Sequence, residues 1–314
     1  MRRVEWCVAV ELAVVLTAAW AAAGEARRIV EAEGLDAPRM SGRWVVYHVG
    51  RKGQRVYDLE SGEVAAEINQ YRPLPYDVNS RFVLSVSGAG TRYLYDLSEG
   101  RRQTGPMRRI DDLEAIRVGQ GGWFVGVVER YSRELRRKRR QLRFYRLNGR
   151  PIGGPLTPDL LENRYDVAGD AVVWLDRRVG EAGVYAAEVR ERRPRQLSEA
   201  IVDDGPWTDG KRAVWVNEGK VTVCALESGE KRVAIEPAED GGARPVQAKV
   251  LGEVLVVVYD DWSIVAHPLD GGEGRVVVDA AEAAGLKTLV GVGAGRVVWR
   301  TADTLWAAPL EPGD

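Results

Sequence analysis

Two cysteines, two histidines and three phenylalanines stand in 314 residues. The cysteines are Cys7 and Cys224, and Cys7 falls in an N-terminal segment read below as a leader. One thiol then remains, so no internal disulfide is open to the chain and its core must hold by packing alone. Cys224 alternates with valines in VTVCAL and reads as a buried strand thiol. His48 and His267 are too few for a histidine-based metal centre. No G-x-S-x-G nucleophile elbow and no phosphate-cradling G-x-x-x-x-G-K occurs. The run GVGAGR (291–296) lacks the third glycine of a dinucleotide loop and opens a strand, so it reads as a turn. With a formal net charge of −1, the chain is no globally basic nucleic-acid binder. From these absences no catalytic residue, metal or cofactor is expected.

The charge is nevertheless uneven. Between Arg130 and Arg150 stand ten basic residues against Glu134 alone. The first 26 residues differ in another way: Arg2 and Arg3 precede LAVVLTAAWAAA (12–23) and the small residues of AAAGEA. A basic start, an apolar core and small residues before Gly24 or Arg27 describe a secretory signal peptide, with an uncleaved N-terminal anchor as the alternative. Export to a periplasm, cell surface or medium follows from that reading.

Glycine is abundant, at 35 residues, and hydrophobic residues make up 45% of the chain. Their arrangement is periodic. Turn residues at Gly42, Ser80, Gly121, Gly169, Gly210, Gly252 and Gly295 each precede an apolar run: WVVY, FVLSV, WFVGV, AVVW, AVW, VLVVVY and VVW. A second alternating run follows in each copy and reaches Leu59, Leu97, Leu147, Val189, Leu226, Leu269 and Leu310. The spacing is about 42 residues, and alternation bounded by Gly and acidic residues is the strand signal. A unit of this length with several short strands is a β-propeller blade. The expected fold is all-β: a β-propeller of seven four-stranded blades, or six with one degenerate copy, forming one domain over 27–314 behind the leader at 1–26. The seventh copy lacks an exit strand, and RIVE (28–31) ahead of the first copy reads as the strand that closes it. The tryptophans are expected between blades.

The copy GDAVVWLDRRVGEAGVYAAEVRERRPRQL, with YDLESGE (57–63) and YDLSEG (95–100), resembles the TolB-type propeller repeat of exported bacterial and archaeal proteins. The resemblance spans about residues 28–314 and implies the propeller fold. It carries no site residue.

Candidate function falls on two features. The stretches 70–79, 108–119, 159–169, 200–210 and 238–252 read as loops between copies, converging on one face of the central channel. They supply Tyr71, Arg72, Asp77, Asp111, Asp112, Arg164, Tyr165, Asp166, Asp203, Asp204 and Trp207. Carboxylates, guanidinium groups and aromatic rings on one rim suit a cation, sugar or peptide; the alternative is that the aspartates cap turns and pair with arginines. The second feature is the run Arg136, Arg137, Lys138, Arg139 and Arg140, expected at a hairpin tip. It suits an anionic polymer or lipid headgroup, or is a solvated hairpin. Nucleic acid is disfavoured, since no second basic element frames a groove. The favoured reading is a monomeric, non-catalytic scaffold whose partner is a protein or envelope component. The alternative is a carbohydrate- or peptide-directed hydrolase or lyase using channel-mouth carboxylates.

Overall fold

A computed structural model describes residues 26–35, 38–50, 53–68, 75–87, 89–133, 136–157, 159–177, 182–238, 241–280 and 287–310. The leader, apart from Ala26, and the candidates Tyr71 and Arg72 lie outside them.

The described residues form seven antiparallel sheets, one for each repeat. Blade 1 runs outward through Arg39–Ser41, Trp44–His48, Gln54–Asp58 and Glu63–Ile68, each pairing with the next. Copies 2, 4, 5 and 6 repeat this four-stranded meander, and copies 3 and 7 repeat its first three strands. The innermost strands of blades 1 to 7 are Arg39–Ser41, Tyr76–Val78, Leu113–Val118, Leu160–Ala168, Asp204–Thr208, Pro245–Leu251 and Thr288–Gly293. Each packs against the innermost strand of the next copy, and the seventh packs against the first, so the ring is closed.

The turns fall where the spacing placed them. Gly169 and Gly252 turn at φ values of 56° and 55°, a region that penalises a Cβ. Blade 2 has no glycine there; the Asn79 side-chain oxygen instead accepts the Arg81 and Phe82 N–H groups, both at 2.8 Å.

Closure is as expected. The strand Arg27–Glu31 pairs antiparallel with Thr304–Pro309 of blade 7, so a segment from the start of the chain becomes the outer strand of the last blade. Arg27 also donates to the Gly62 carbonyl of blade 1 at 2.8 Å and ties the seam from outside.

Six blades have four strands. Blade 3 has three regular ones, and Arg150–Thr157 takes the fourth place through isolated bridges at Tyr145↔Pro151 and Leu142↔Thr157. The physical reason is in its sequence: Pro151 and Pro155 have no N–H for a ladder.

Two flat sheets bury their faces only against each other, and the core is accordingly divided into seven layers, each shared by two adjacent blades. Trp123 and Trp174 fill the layer between blades 3 and 4, where Trp174 is fully buried and stacks on Tyr185 at 5.8 Å. Trp215 and the buried Cys224 share the layer between blades 4 and 5.

The basic run is placed differently from expectation. Strands Trp123–Ser132 and Arg137–Arg146 form a long hairpin, with Arg136 in its turn and the other four residues within the second strand. The alternation that carries Leu142 and Phe144 into the core continues outward through the cations, so they extend a strand instead of capping it. They are also partly neutralised: Arg137 meets Asp159 at 2.6 Å, Arg140 meets Glu114 at 2.8 Å, and Lys138 pairs with Glu129.

Candidate functional site

The stretches read as loops are in large part the inner strands. Asp77, Arg164, Tyr165, Asp166, Asp204 and Trp207 all lie on strands; Asp111, Asp112 and Asp203 lie in the turns that precede them. Inner strands face a channel on one side, so they carry polar residues and lack the long apolar runs that mark the second strand of each blade. That is why they resemble loops in sequence.

Strand register identifies one position per blade around the channel. The third residue of the second strand pairs, in blade order, with Arg39, Asp77, Arg117, Asp166, Trp207, Lys249 and Gly291. Charge alternates over the first four. Each member of the ring reaches to the following blade. Arg39 lies near enough to Asp77 for the carboxylate to favour its charge. Asp77 accepts the Val118 N–H at 2.7 Å, and the Arg117 guanidinium lies 3.9 Å from Asp166. Asp166 accepts the Thr208 N–H at 3.0 Å. The Trp207 ring lies 3.9 Å below the Lys249 ammonium, a cation–π contact, and Lys249 donates to the Val290 carbonyl at 2.5 Å. Gly291 completes the ring at the seam, where a Cβ would come within 2.9 Å of the Met40 sulfur. Two residues on, a Cβ on Gly293 would come within 2.1 Å of the Gly42 carbonyl oxygen, so glycine is what lets blades 7 and 1 meet.

Two further side chains use the same device. Asp204 accepts the Trp207 indole N–H at 2.8 Å and approaches the Ala248 N–H at 3.5 Å; Gln247 accepts the Leu289 N–H at 2.8 Å. Side chain to backbone bonds from these residues thus fix the height of blade 2 against 3, 4 against 5, 5 against 6 and 6 against 7.

Burial shapes the electrostatics. It pushes the Asp77 and Asp204 carboxyls up, against the pull of Arg117 and Arg39 on the first and of Trp207 and Lys249 on the second. It lowers the Arg39 guanidinium, to which Arg117 adds repulsion. It holds Lys249 down at about 8, while Asp166 and Asp204 pull the other way. Arg117 moves up despite burial, because Asp77, Tyr165 and Asp166 surround it.

The remaining candidates disperse. Asp111 pairs with Arg109 at 2.6 Å and Asp112 with Arg130 at 3.0 Å, in a surface cleft apart from the channel. Asp203 accepts the Glu218 N–H at 2.7 Å. Arg164 donates to the carbonyls of Gly205 and Val202 at 2.9 and 2.7 Å. Tyr165 is buried in the layer between blades 3 and 4, with Arg117 over its ring at 5.4 Å. Asp77, Asp166, Asp204 and Trp207 are the candidates that line the central cavity, of about 770 Å³. Among the described residues no group of three or more His, Cys, Asp or Glu side chains is placed to hold a metal ion.

Sequence reasoning passed over Arg39, Arg117, Gln247 and Lys249. A signal was present: counting back three or four residues from each turn reaches every ring position. Arg117, Gln247 and Lys249 fall within the stretches read as loops, and nothing local sets them apart from the other polar residues there.

Seven blades around a polar channel, closed by a strand from the opposite end of the chain, define a seven-bladed β-propeller. Solved structures agree on the fold. The β-propeller domain of Cps50 (Swd1) from Myceliophteria thermophila superposes with a TM-score of 0.58 at 9% identity, covering 91% of this chain and 100% of that one. The computationally designed protein Ika8 gives 0.53 at 14% identity, covering 92% of this chain and 88% of that one. No family model matches the chain, and no curated protein matches it by sequence.

Proposed function

We propose that the protein is an exported, non-catalytic propeller that serves as a binding scaffold for a protein or envelope component. One observation carries the reading: all six aspartates nominated as channel-mouth chemistry already have partners within the fold. Asp77, Asp166, Asp203 and Asp204 accept backbone N–H groups, and Asp111 and Asp112 pair with arginines. A hydrolase or lyase needs two carboxylates held apart in pKa and facing a substrate, whereas these serve turns and blade contacts. The likeness to Cps50 (Swd1) supports the scaffold reading through the fold alone. Export rests on the leader pattern at 1–26, and kinship with TolB-type proteins on the YDLESGE and YDLSEG repeats.

The basic hairpin is the surface assigned to the partner. Its strands run ten residues each where those of other blades run about half as far, and Tyr131 near its end is 63% exposed. A photoreactive residue at Tyr131 and another at Val233, on the outer strand of blade 5, test this in the native host. Discrete adducts are expected at Tyr131 alone, lost when Arg136, Lys138, Arg139 and Arg140 are changed to Ser. The mature chain is expected to begin at Gly24 or Arg27. Adducts at neither position, or equally at both, overturn the docking surface; an intact N-terminus in the cytosolic fraction overturns export.

A further inference from the structure

The carboxylates around the central cavity are confined to blades 2 to 5, where Arg117 of blade 3 stands among them. Asp77, Asp166, Asp204 and Asp209 come from blades 2, 4 and 5. Blades 6, 7 and 1 contribute Lys249, Arg300 and Arg39 and, among the described residues that line the cavity, no carboxylate. The middle of that arc is Gly291, against which the apolar Met40 side chain packs, so no charged side chain stands between the two ring cations at this height.

These cations have donors to spare. Arg39 is half-buried and makes no hydrogen bond or ion pair among the described residues, although Asp77 lies near enough to stabilise its charge. The Lys249 ammonium has three N–H groups and gives one to Val290. The Arg300 Nε donates to the Ala302 carbonyl, which leaves the outer fork of its guanidinium. Asp77, on the blade next to Arg39, and Asp166 are each held by a backbone N–H group, and Arg117 pairs with Asp166 and offsets the charge of Asp77, so neither carboxylate is free to take the ligand's place on the arc. A guanidinium fork matches two oxygens of a carboxylate or phosphate, and an ammonium supplies a point charge beside it. The cavity volume is in the range that encloses a small metabolite.

From this arrangement we infer that the central cavity binds a small carboxylate- or phosphate-bearing molecule against the arc formed by Arg39, Lys249 and Arg300. This is independent of the scaffold reading, since it concerns the interior of the ring and not its outer hairpin. The low position of Lys249, with Asp166 and Asp204 favouring its charge and Arg117 and Arg39 opposing it, adds a pH dependence: binding weakens as pH rises through about 8.

Titration calorimetry at low salt tests it with citrate, inorganic phosphate and, as an uncharged control, xylitol. Saturable binding of citrate or phosphate and none of xylitol is expected, and whichever anion binds more tightly tells a carboxylate ligand from a phosphate one. Arg39→Gln should weaken binding about tenfold or more, the weight of one charge-assisted hydrogen bond. Arg39→Lys should restore part of the loss, because charge returns without the fork. Lys249→Gln should remove the pH dependence, and Arg39→Gln keeps the test intact should that variant fold poorly. No saturable binding of either anion at millimolar concentration overturns the proposal. Equal affinity in Arg39→Gln and the parent chain, or equal binding of xylitol, does so as well.

Discussion

Lys249 shows how one side chain can belong to both the architecture and the site. It stacks on Trp207 and donates to Val290, so it joins blades 5, 6 and 7, and burial disfavours its charged form. Burial brings its pKa down from the ordinary lysine value of 10.5 to about 8 in the folded chain. Between those values the unfolded chain binds more protons, so stability rises with pH across that window; below it the desolvation cost is fully present. Lys249→Met removes the cost. The parent chain should therefore gain stability relative to Lys249→Met between pH 7.5 and 10, read from denaturant midpoints. A difference that stays flat over that range would mean the ammonium is not desolvated. In sequence Lys249 is an unremarked residue of PVQAKVL, because its partners lie some forty positions away on either side.

At the scale of elements, the hairpin of blade 3 is held by a latch that no local pattern announces. Asp159, 2% exposed, takes Arg137 on one oxygen at 2.6 Å and Arg177 on the other at 3.1 Å. Its N–H donates to Thr157 Oγ1 at 3.1 Å, and that hydroxyl donates to Asp176 at 2.5 Å. Removing Asp159 leaves two part-solvated arginines, so the loss falls below that of a fully buried pair. Asp159→Ala should cost on the order of 2 kcal/mol and speed amide exchange over the hairpin, with Arg136→Ser as a neutral control. Unchanged exchange at Tyr131–Arg140 would show that the hairpin is rigid without the latch. The hairpin itself was legible as a long link between two alternating runs. Its identity as continuous strand was not, because a run of cations in sequence looks the same on a strand as on a turn. The inner strands were lost for a related reason: they are short, three to nine residues, and the polar and charged residues that face the channel interrupt their apolar positions, so they lack the continuous apolar runs of the second strands.

For the whole molecule, the decisive element is Arg27–Glu31. It covers Leu305 and Ala307, both buried, and packs Ile29 and Val30 into the layer between blades 7 and 1. Deleting it should lower unfolding free energy by about 3 kcal/mol, the burial of two aliphatic side chains. It also exposes a pairing edge, so association should become concentration-dependent in sedimentation. A deletion variant that melts like the parent and stays monomeric would mean that the ring closes from the inside alone. The glycine contacts of Gly291 and Gly293 at the inner seam make that outcome a real alternative to exclude.

By itself the sequence determined the period, the all-β class, the interblade tryptophans and the closing strand, while the choice of seven blades over six fell to the structure. The first four follow from short-range alternation and from counting, and blade packing makes each apolar position answer to its equivalent in the next copy. Only the tertiary structure decided the ring of Arg39, Asp77, Arg117, Asp166, Trp207, Lys249 and Gly291. Apart from Gly291, which meets Met40 across the closing seam, each of those residues meets a partner one blade on, about forty to fifty residues away in the chain, and the sign of a charge there has meaning only beside that neighbour. Alternation along a strand is written in the chain; alternation around a channel exists only once the ring has closed.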